Sequence, residues 1–214
     1  MGGKVLDSSI PNLREDTLSS LIFKNAAVRG TKTAIREKDL GIWQSWSWAN
    51  VAEEVKLLAG GLAAKGYVRG KNLAIIGDNR PRLYWSFAAS QSLGGVPVPL
   101  YQDAIADEMI YVFNDAEIEF AIVEDQEQVD KLLEIMPQCD KLRCIIYDDP
   151  RGMRHYDHPA VMAYEDVREL GSKLLNEQPN FIDDELSKCH TDDVSVILYT
   201  SGTTSKPKGG CLTH

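Results

Sequence analysis

The sequence has no apolar run long enough to span a bilayer, which takes about 20 predominantly apolar residues as a helix. It also has no apolar leader at its N-terminus. Cysteine is sparse: Cys139, Cys144, Cys189 and Cys211 are the only four, and no pair has Cys-x-x-Cys spacing. Reduced thiols in a cytoplasmic protein are therefore the expectation. Met1-Gly2 could open a myristoylation signal, but Leu6 stands where Ser or Thr is required. Basic charge is also short. Lys and Arg number 23 against 32 Asp and Glu, a net charge of −9. No basic face offsets that balance, which argues against a nucleic-acid partner. No Ser-His-Asp or Cys-His arrangement is visible, and there are no internal repeats or low-complexity tracts.

The 214 residues suit one domain or a domain and a half. Hydrophobic residues make up 43% and charged residues 26%, enough apolar side chain for a globular core. Residues 1–16 carry few signals. A helix is expected over 17–28, capped by Asp16 or Thr17 and closed by Gly30. Strands at 34–36 and 43–46 flank a hairpin turn over residues 38–41. Ser47 caps a second helix that reaches Lys65, with Val51, Val55, Leu58 and Leu62 at helical spacing. Gly60-Gly61 in its interior would each cost roughly 1 kcal/mol against Ala. Close helix packing and simple tolerance both explain them.

From Lys71 strands and helices alternate. Strands are expected at 72–76, 96–100, 120–123, 144–147 and 194–199, and helices at 81–93, 107–114, 126–136 and 164–175. Pro97 and Pro99 put the second of these strands at a sheet edge or bulge. The rhythm predicts an α/β fold, a parallel sheet flanked by helices on both faces. Ligands on such sheets sit at the carboxyl ends of strands. The expected division is 1–70, a helix–hairpin–helix segment, and 71–214, an α/β unit.

Lesser constellations read as structure. His155, Asp157 and His158 have metal-like spacing but lie in a Pro/Gly-rich loop with no second cluster, so a surface loop is expected. Trp43, Trp46 and Trp48 could stack on a base; their place on a hairpin leading into a helix favours core or rim packing. The acidic groups 183–185 and 192–193 read as solvated faces.

The last stretch, 194–214, carries the chemistry. A β-branched apolar run ends at Tyr199. Then come the hydroxyls of Thr200, Ser201, Thr203, Thr204 and Ser205, the cations Lys206 and Lys208, and the breakers Gly202, Pro207, Gly209 and Gly210. No regular element is expected there. No Asp or Glu follows Asp193. Donors and cations without carboxylates describe a phosphate cradle, while composition alone leaves a solvated linker equally open. It is neither of two common cradles: Pro207 breaks the P-loop pattern, and Gly-x-Gly-x-x-Gly is absent.

The run from Tyr199 to Gly209 resembles the signature loop of the adenylate-forming (acyl-CoA synthetase, AMP-binding) superfamily. Ser205 stands where that loop usually has Gly, and Gly210 where it usually has an apolar residue. Trp46-Ser47-Trp48, Asp78-Asn79-Arg80-Pro81 with Trp85, and Val98-Pro99-Leu100-Tyr101 are most similar to bacterial long-chain fatty acid–CoA ligases. The resemblance implies an ATP-dependent ligase that makes an acyl-adenylate, then a coenzyme A thioester, releasing AMP and pyrophosphate. Mg²⁺ would partner the ATP. The implied phosphate-binding residues are Thr200, Ser201, Gly202, Thr203, Thr204, Ser205, Lys206, Pro207, Lys208 and Gly209. It further implies that this chain is the front part of a longer enzyme, lacking most of the active site and inactive alone. Peripheral membrane association of that enzyme is compatible with it. The helices at 17–28 and 47–65 would then lack the later residues they pack against. The alternative is a non-catalytic α/β nucleotide-binding or interaction module.

Overall fold

The computed structural model describes residues 16–200 and 206–214. The first helix, α1 (Leu18–Arg29), begins at Thr17, whose Oγ1 accepts from Ser20 N at 3.2 Å. Two antiparallel strands follow, β1 (Thr33–Asp39) and β2 (Ile42–Ser47). Their turn is only Leu40-Gly41, with φ of 45° and 84°. The strands are thus longer than expected, because Leu40 takes a left-handed conformation that an L residue normally resists. Helix α2 (Trp48–Ala64) opens with a capping box. Ser47 Oγ accepts from Asn50 N, and Asn50 Oδ1 accepts from Ser47 N.

The centre is a five-stranded sheet in the order β4-β3-β5-β6-β7. These are β3 (Asn72–Ile76), β4 (Val96–Leu100), β5 (Phe120–Val123), β6 (Cys144–Tyr147) and β7 (Val161–Ala163), all parallel. The connecting helices are α3 (Pro81–Ser92), α4 (Ala106–Asp115) and α5 (Gln126–Ile135); α6 (Tyr164–Glu177) and α7 (Phe181–Leu186) follow β7. Strand side chains alternate between two cores. Leu73, Ile75, Phe120, Ile122 and Ile146 face α2, α3 and α6. Ala74, Ile76, Ala121, Val123 and Ile145 face α4 and α5. Burial on both faces explains why these strands are near-continuous apolar runs. The edge position of β4 is as Pro97 and Pro99 require.

Sequence periodicity missed β7 and α7. The first is only Val-Met-Ala; the second hides Ile182 and Leu186, both buried, within an acidic run.

Helix α2 does not lack a partner. It crosses α6 with backbones in contact. A Cβ on Gly61 would lie 2.6 Å from Val167 Cγ1, and one on Gly60 would lie 3.1 Å from the Gly171 Cα. A Cβ on Gly171 would overlap the Leu57 carbonyl. Close packing, not tolerance, accounts for the glycine pair.

The end of the chain also departs from expectation. Strand β8 (Val194–Thr200) is not in the parallel sheet. It pairs antiparallel with β9 (Lys208–Thr213), where no regular element was expected. Gly209 is tolerated in β9 because β8 side chains close over it: a Cβ there would meet Ile197 and Tyr199 at 3.0 Å, whereas one on Gly210 would meet only the Leu198 carbonyl at 3.7 Å. β8 runs beside β4 but outside its ladder. Val96 N–H points to the Lys71 carbonyl of the β3 side. By alternation the outer edge of β4 is that of Pro97 and Pro99, which carry no N–H to offer.

Among the described residues no helix is long and apolar enough to cross a membrane. The cysteines are unpaired, three buried and Cys211 exposed. His155, Asp157 and His158 are exposed, as expected of a surface loop.

Candidate functional site

Three segments meet at the carboxyl ends of β3 and β4. They are Gly77-Asp78-Asn79 after β3, Tyr101-Gln102-Asp103 after β4, and Leu198-Tyr199-Thr200 at the end of β8. They enclose a cleft of about 500 Å³, within the range of small-molecule sites. Tyr84 and Phe87 of α3 supply an aromatic wall, and Leu100 and Leu198 an aliphatic one. Tyr84 Oη donates to Asn79 Oδ1 at 3.1 Å. The cleft has an apolar body and a polar rim, so it suits a ligand with both characters.

In a sheet of this order the ligand crevice would open between β3 and β5, where the connections leave in opposite directions. That crevice is filled. Glu124, just past β5, accepts from Asp78 N at 2.6 Å and from Arg80 Nε at 2.7 Å. Gly77 (φ 150°) permits this approach, since a Cβ there would lie 2.6 Å from the Glu124 Cβ. Arg80 also reaches Glu37 of β1 at 3.4 Å. Its neighbour Arg82 bonds Asp148 at 2.8 Å and Glu165, and lies 4.8 Å over the Tyr164 ring. Burial pushes the Asp148 carboxyl up, and the Arg82 charge holds it down; burial prevails. The loop 78–81 is thereby bolted from behind, and the open cleft lies one strand over.

The ten residues with phosphate-loop character divide as follows. Thr200 ends β8 and lines the cleft, exposed. Ser201, Gly202, Thr203, Thr204 and Ser205 lie outside the described residues. Lys206 is exposed, with Nζ 5.0 Å over the Tyr111 ring of α4. Pro207 is half-buried and lines a smaller cavity of about 90 Å³ with Pro99, Tyr101 and Tyr199. Lys208 and Gly209 open β9.

Both flanks of this segment are tethered to α4. Tyr199 Oη donates to Asp115 Oδ2 at 2.6 Å, and Tyr111 Oη donates to Asp115 Oδ1 at 3.4 Å. Burial and then the Asp115 carboxylate push the Tyr199 phenol up, so it stays a donor. Sequence reasoning did not place Asp78, Asn79, Tyr101, Tyr111 or Asp115 at a site. For the first three the signal was available: they follow strand carboxyl ends. For Tyr111, within α4, and Asp115, its last residue, there was none.

A family model described as AMP-binding enzyme matches residues 22–214. Among curated proteins, the long-chain-fatty-acid–CoA ligase ACSBG2 of Xenopus laevis is 26% identical over 209 residues, covering 97% of this chain and 28% of that protein. A crotonobetaine/carnitine–CoA ligase of Citrobacter koseri is 29% identical over 196 residues, covering 88% and 35%. Among solved structures, the anthranilate CoA ligase AuaEII in complex with anthranoyl-AMP aligns with a TM-score of 0.73 at 19% identity, over 92% of this chain and 35% of that one. The inhibitor-bound N-terminal domain of FACL13 from Mycobacterium tuberculosis gives 0.69 at 20% identity, over 94% and 45%. The structural likenesses concern the fold. The chain spans 28% and 35% of the length of these two curated relatives.

Proposed function

This chain belongs to the AMP-binding enzyme family, and from that premise we propose that its protein activates a carboxylic acid with ATP. An acyl-adenylate and pyrophosphate form first, and coenzyme A thiolate then displaces AMP to give the thioester. The observation that carries this reading is the run of hydroxyls, glycines and lysines that leaves β8 at the rim of the cleft. Thr200, Ser201, Thr203, Thr204 and Lys208 would hold the β- and γ-phosphates and the charge that grows on the leaving pyrophosphate. The acid would be a long-chain fatty acid. Support for that comes from relatives named as long-chain-fatty-acid–CoA ligases; the crotonobetaine/carnitine ligase is the competing acid class.

Mg²⁺ would accompany the triphosphate. Among the described residues no group of three or more His, Cys, Asp or Glu is placed to hold a metal ion. Mg²⁺ that travels with a triphosphate takes most of its ligands from phosphate and water, with one or two carboxylates, and needs no such group.

The test is Lys208→Ala in the full-length protein, followed by ATP–pyrophosphate exchange. Loss of a charge-assisted phosphate contact should cost roughly 1.5–3 kcal/mol in ATP use. Unchanged exchange kinetics would overturn the assignment. A panel of acids with coenzyme A tests the substrate class, and activity on short or aryl acids with none on palmitate would exclude the long-chain reading.

A further inference from the structure

The β1–β2 hairpin projects three large apolar side chains. Leu40 is 93% exposed, Ile42 65% and Trp43 57%. The packing expected of Trp43 does not occur, whereas Trp46 on the same strand packs edge-to-face on Trp85 at 5.6 Å.

The register sorts the hairpin into two faces. Ile35 pairs with Trp46, Glu37 with Gln44, and Asp39 with Ile42. That face turns toward the body, where Glu37 meets Arg80. Arg36 pairs with Ser45 and Lys38 with Trp43 on the opposite, outer face. Arg36 lies 4.6 Å over the Trp43 ring. Glu37 is thus engaged with the body, Asp39 shares its face but is exposed beside the turn, and both cations lie on the outer face, in a chain whose net charge is −9. Neither Arg36 nor Lys38 has a carboxylate partner among the described residues.

We propose that this outer face and its Leu40 tip form a docking surface for an anionic lipid bilayer. The occupant follows from shape and charge. A protein partner needs about 800 Å² from each side, and the end of a two-stranded ribbon is convex and narrow. A bilayer accepts a convex tip. Leucine enters the acyl boundary, tryptophan lies at the headgroups, and arginine and lysine meet lipid phosphates. The acidic remainder of the chain is repelled by the same surface, which orients the hairpin toward it. This inference is independent of the acyl-activation reading.

The experiment is co-sedimentation of the full-length protein with vesicles of phosphatidylcholine, alone or mixed with phosphatidylglycerol. Wild type should bind the mixed vesicles, and bind them less at high salt. Arg36→Gln with Lys38→Gln should weaken that binding roughly thirtyfold. Leu40→Asn with Trp43→Thr should weaken it by a similar factor. Asn accepts a positive φ and creates an Asn-Gly turn, so the hairpin is retained; an unchanged unfolding midpoint confirms this. Equal binding by all three proteins would overturn the proposal. So would absence of wild-type binding together with a dimer that Trp43→Thr abolishes, which assigns the face to a second copy. Protection of the Leu40 and Trp43 side chains from hydroxyl-radical labelling without lipid would likewise overturn it, because another segment then covers the face.

Discussion

Glu119, just before β5, shows how one carboxylate links charge to stability. Lys71 bonds Oε1 and Arg143 bonds Oε2 at 3.1 Å, while the Glu119 side chain is only 13% exposed. The Lys71 hydrogen bond is the largest influence, burial opposes it, and Arg143 adds to it. Together they hold the carboxyl below its usual 4.5. A depressed carboxylate contributes stability that is full above the unfolded-state pKa and lost as pH falls through the folded one. Unfolding midpoints should therefore drop as pH falls below 4.5. Glu119→Gln should flatten that acid limb. At neutral pH it should cost only about 1 kcal/mol, since both cations are more than a third exposed and screened by salt. A Gln variant with an unchanged acid limb would remove Glu119 from the account.

At the scale of elements, the α2–α6 crossing rests on glycines rather than on side-chain interdigitation. Gly61 and Gly171 face carbonyl oxygens of Val167 and Leu57 that cannot retreat without bending a helix. Gly61→Ala and Gly171→Ala should each destabilise by about 1–3 kcal/mol, the usual range of overpacked cores. Gly60→Ala should be far milder. Its added methyl meets atoms at 3.1–3.4 Å, and the gain in helix propensity of roughly 1 kcal/mol offsets the contact. Chemical denaturation of the three variants checks the ranking; equal effects would mean that the crossing is not the constraint. The β8–β9 hairpin is held differently. Outside any ladder with β4, it depends on Tyr199–Asp115 and on Gln91 Nε2 donating to the Ser195 carbonyl at 2.8 Å.

For the whole molecule, the cleft has three sides, contributed by β3, β4 and β8 and the loops and helix beside them. The curated relatives are about three times as long as the stretch this chain matches. Residues 1–214 expressed alone are therefore expected to catalyse no pyrophosphate exchange and form no thioester beside an active full-length protein. A phosphate loop can grip the terminal phosphates, but aligning the α-phosphate with a carboxylate is a separate task, worth roughly 7–11 kcal/mol of barrier in favourable cases. Clear turnover by the short chain would show that the machinery lies within it.

What the sequence determined by itself was local. Thr17 and Ser47 announce helix starts because a cap is a contact between residues three apart. The apolar runs at 72–76, 120–123 and 144–147 announce buried parallel strands, and Pro97 with Pro99 an edge, because each strand carries the record of its own two faces and its own N–H groups. The run from Thr200 to Gly209 carries its chemical character in composition alone. Tertiary structure decided what depends on a distant partner. Whether Gly60-Gly61 is a defect or a crossing depends on Gly171, more than a hundred residues away. That Gly209 and Gly210 form a strand depends on β8 pairing with them. That the open cleft lies beside β4, and not in the crevice between β3 and β5, depends on Glu124 reaching Asp78 and Arg80. Each of these is a close approach between separate segments, and no periodicity within one segment encodes which other segment will arrive.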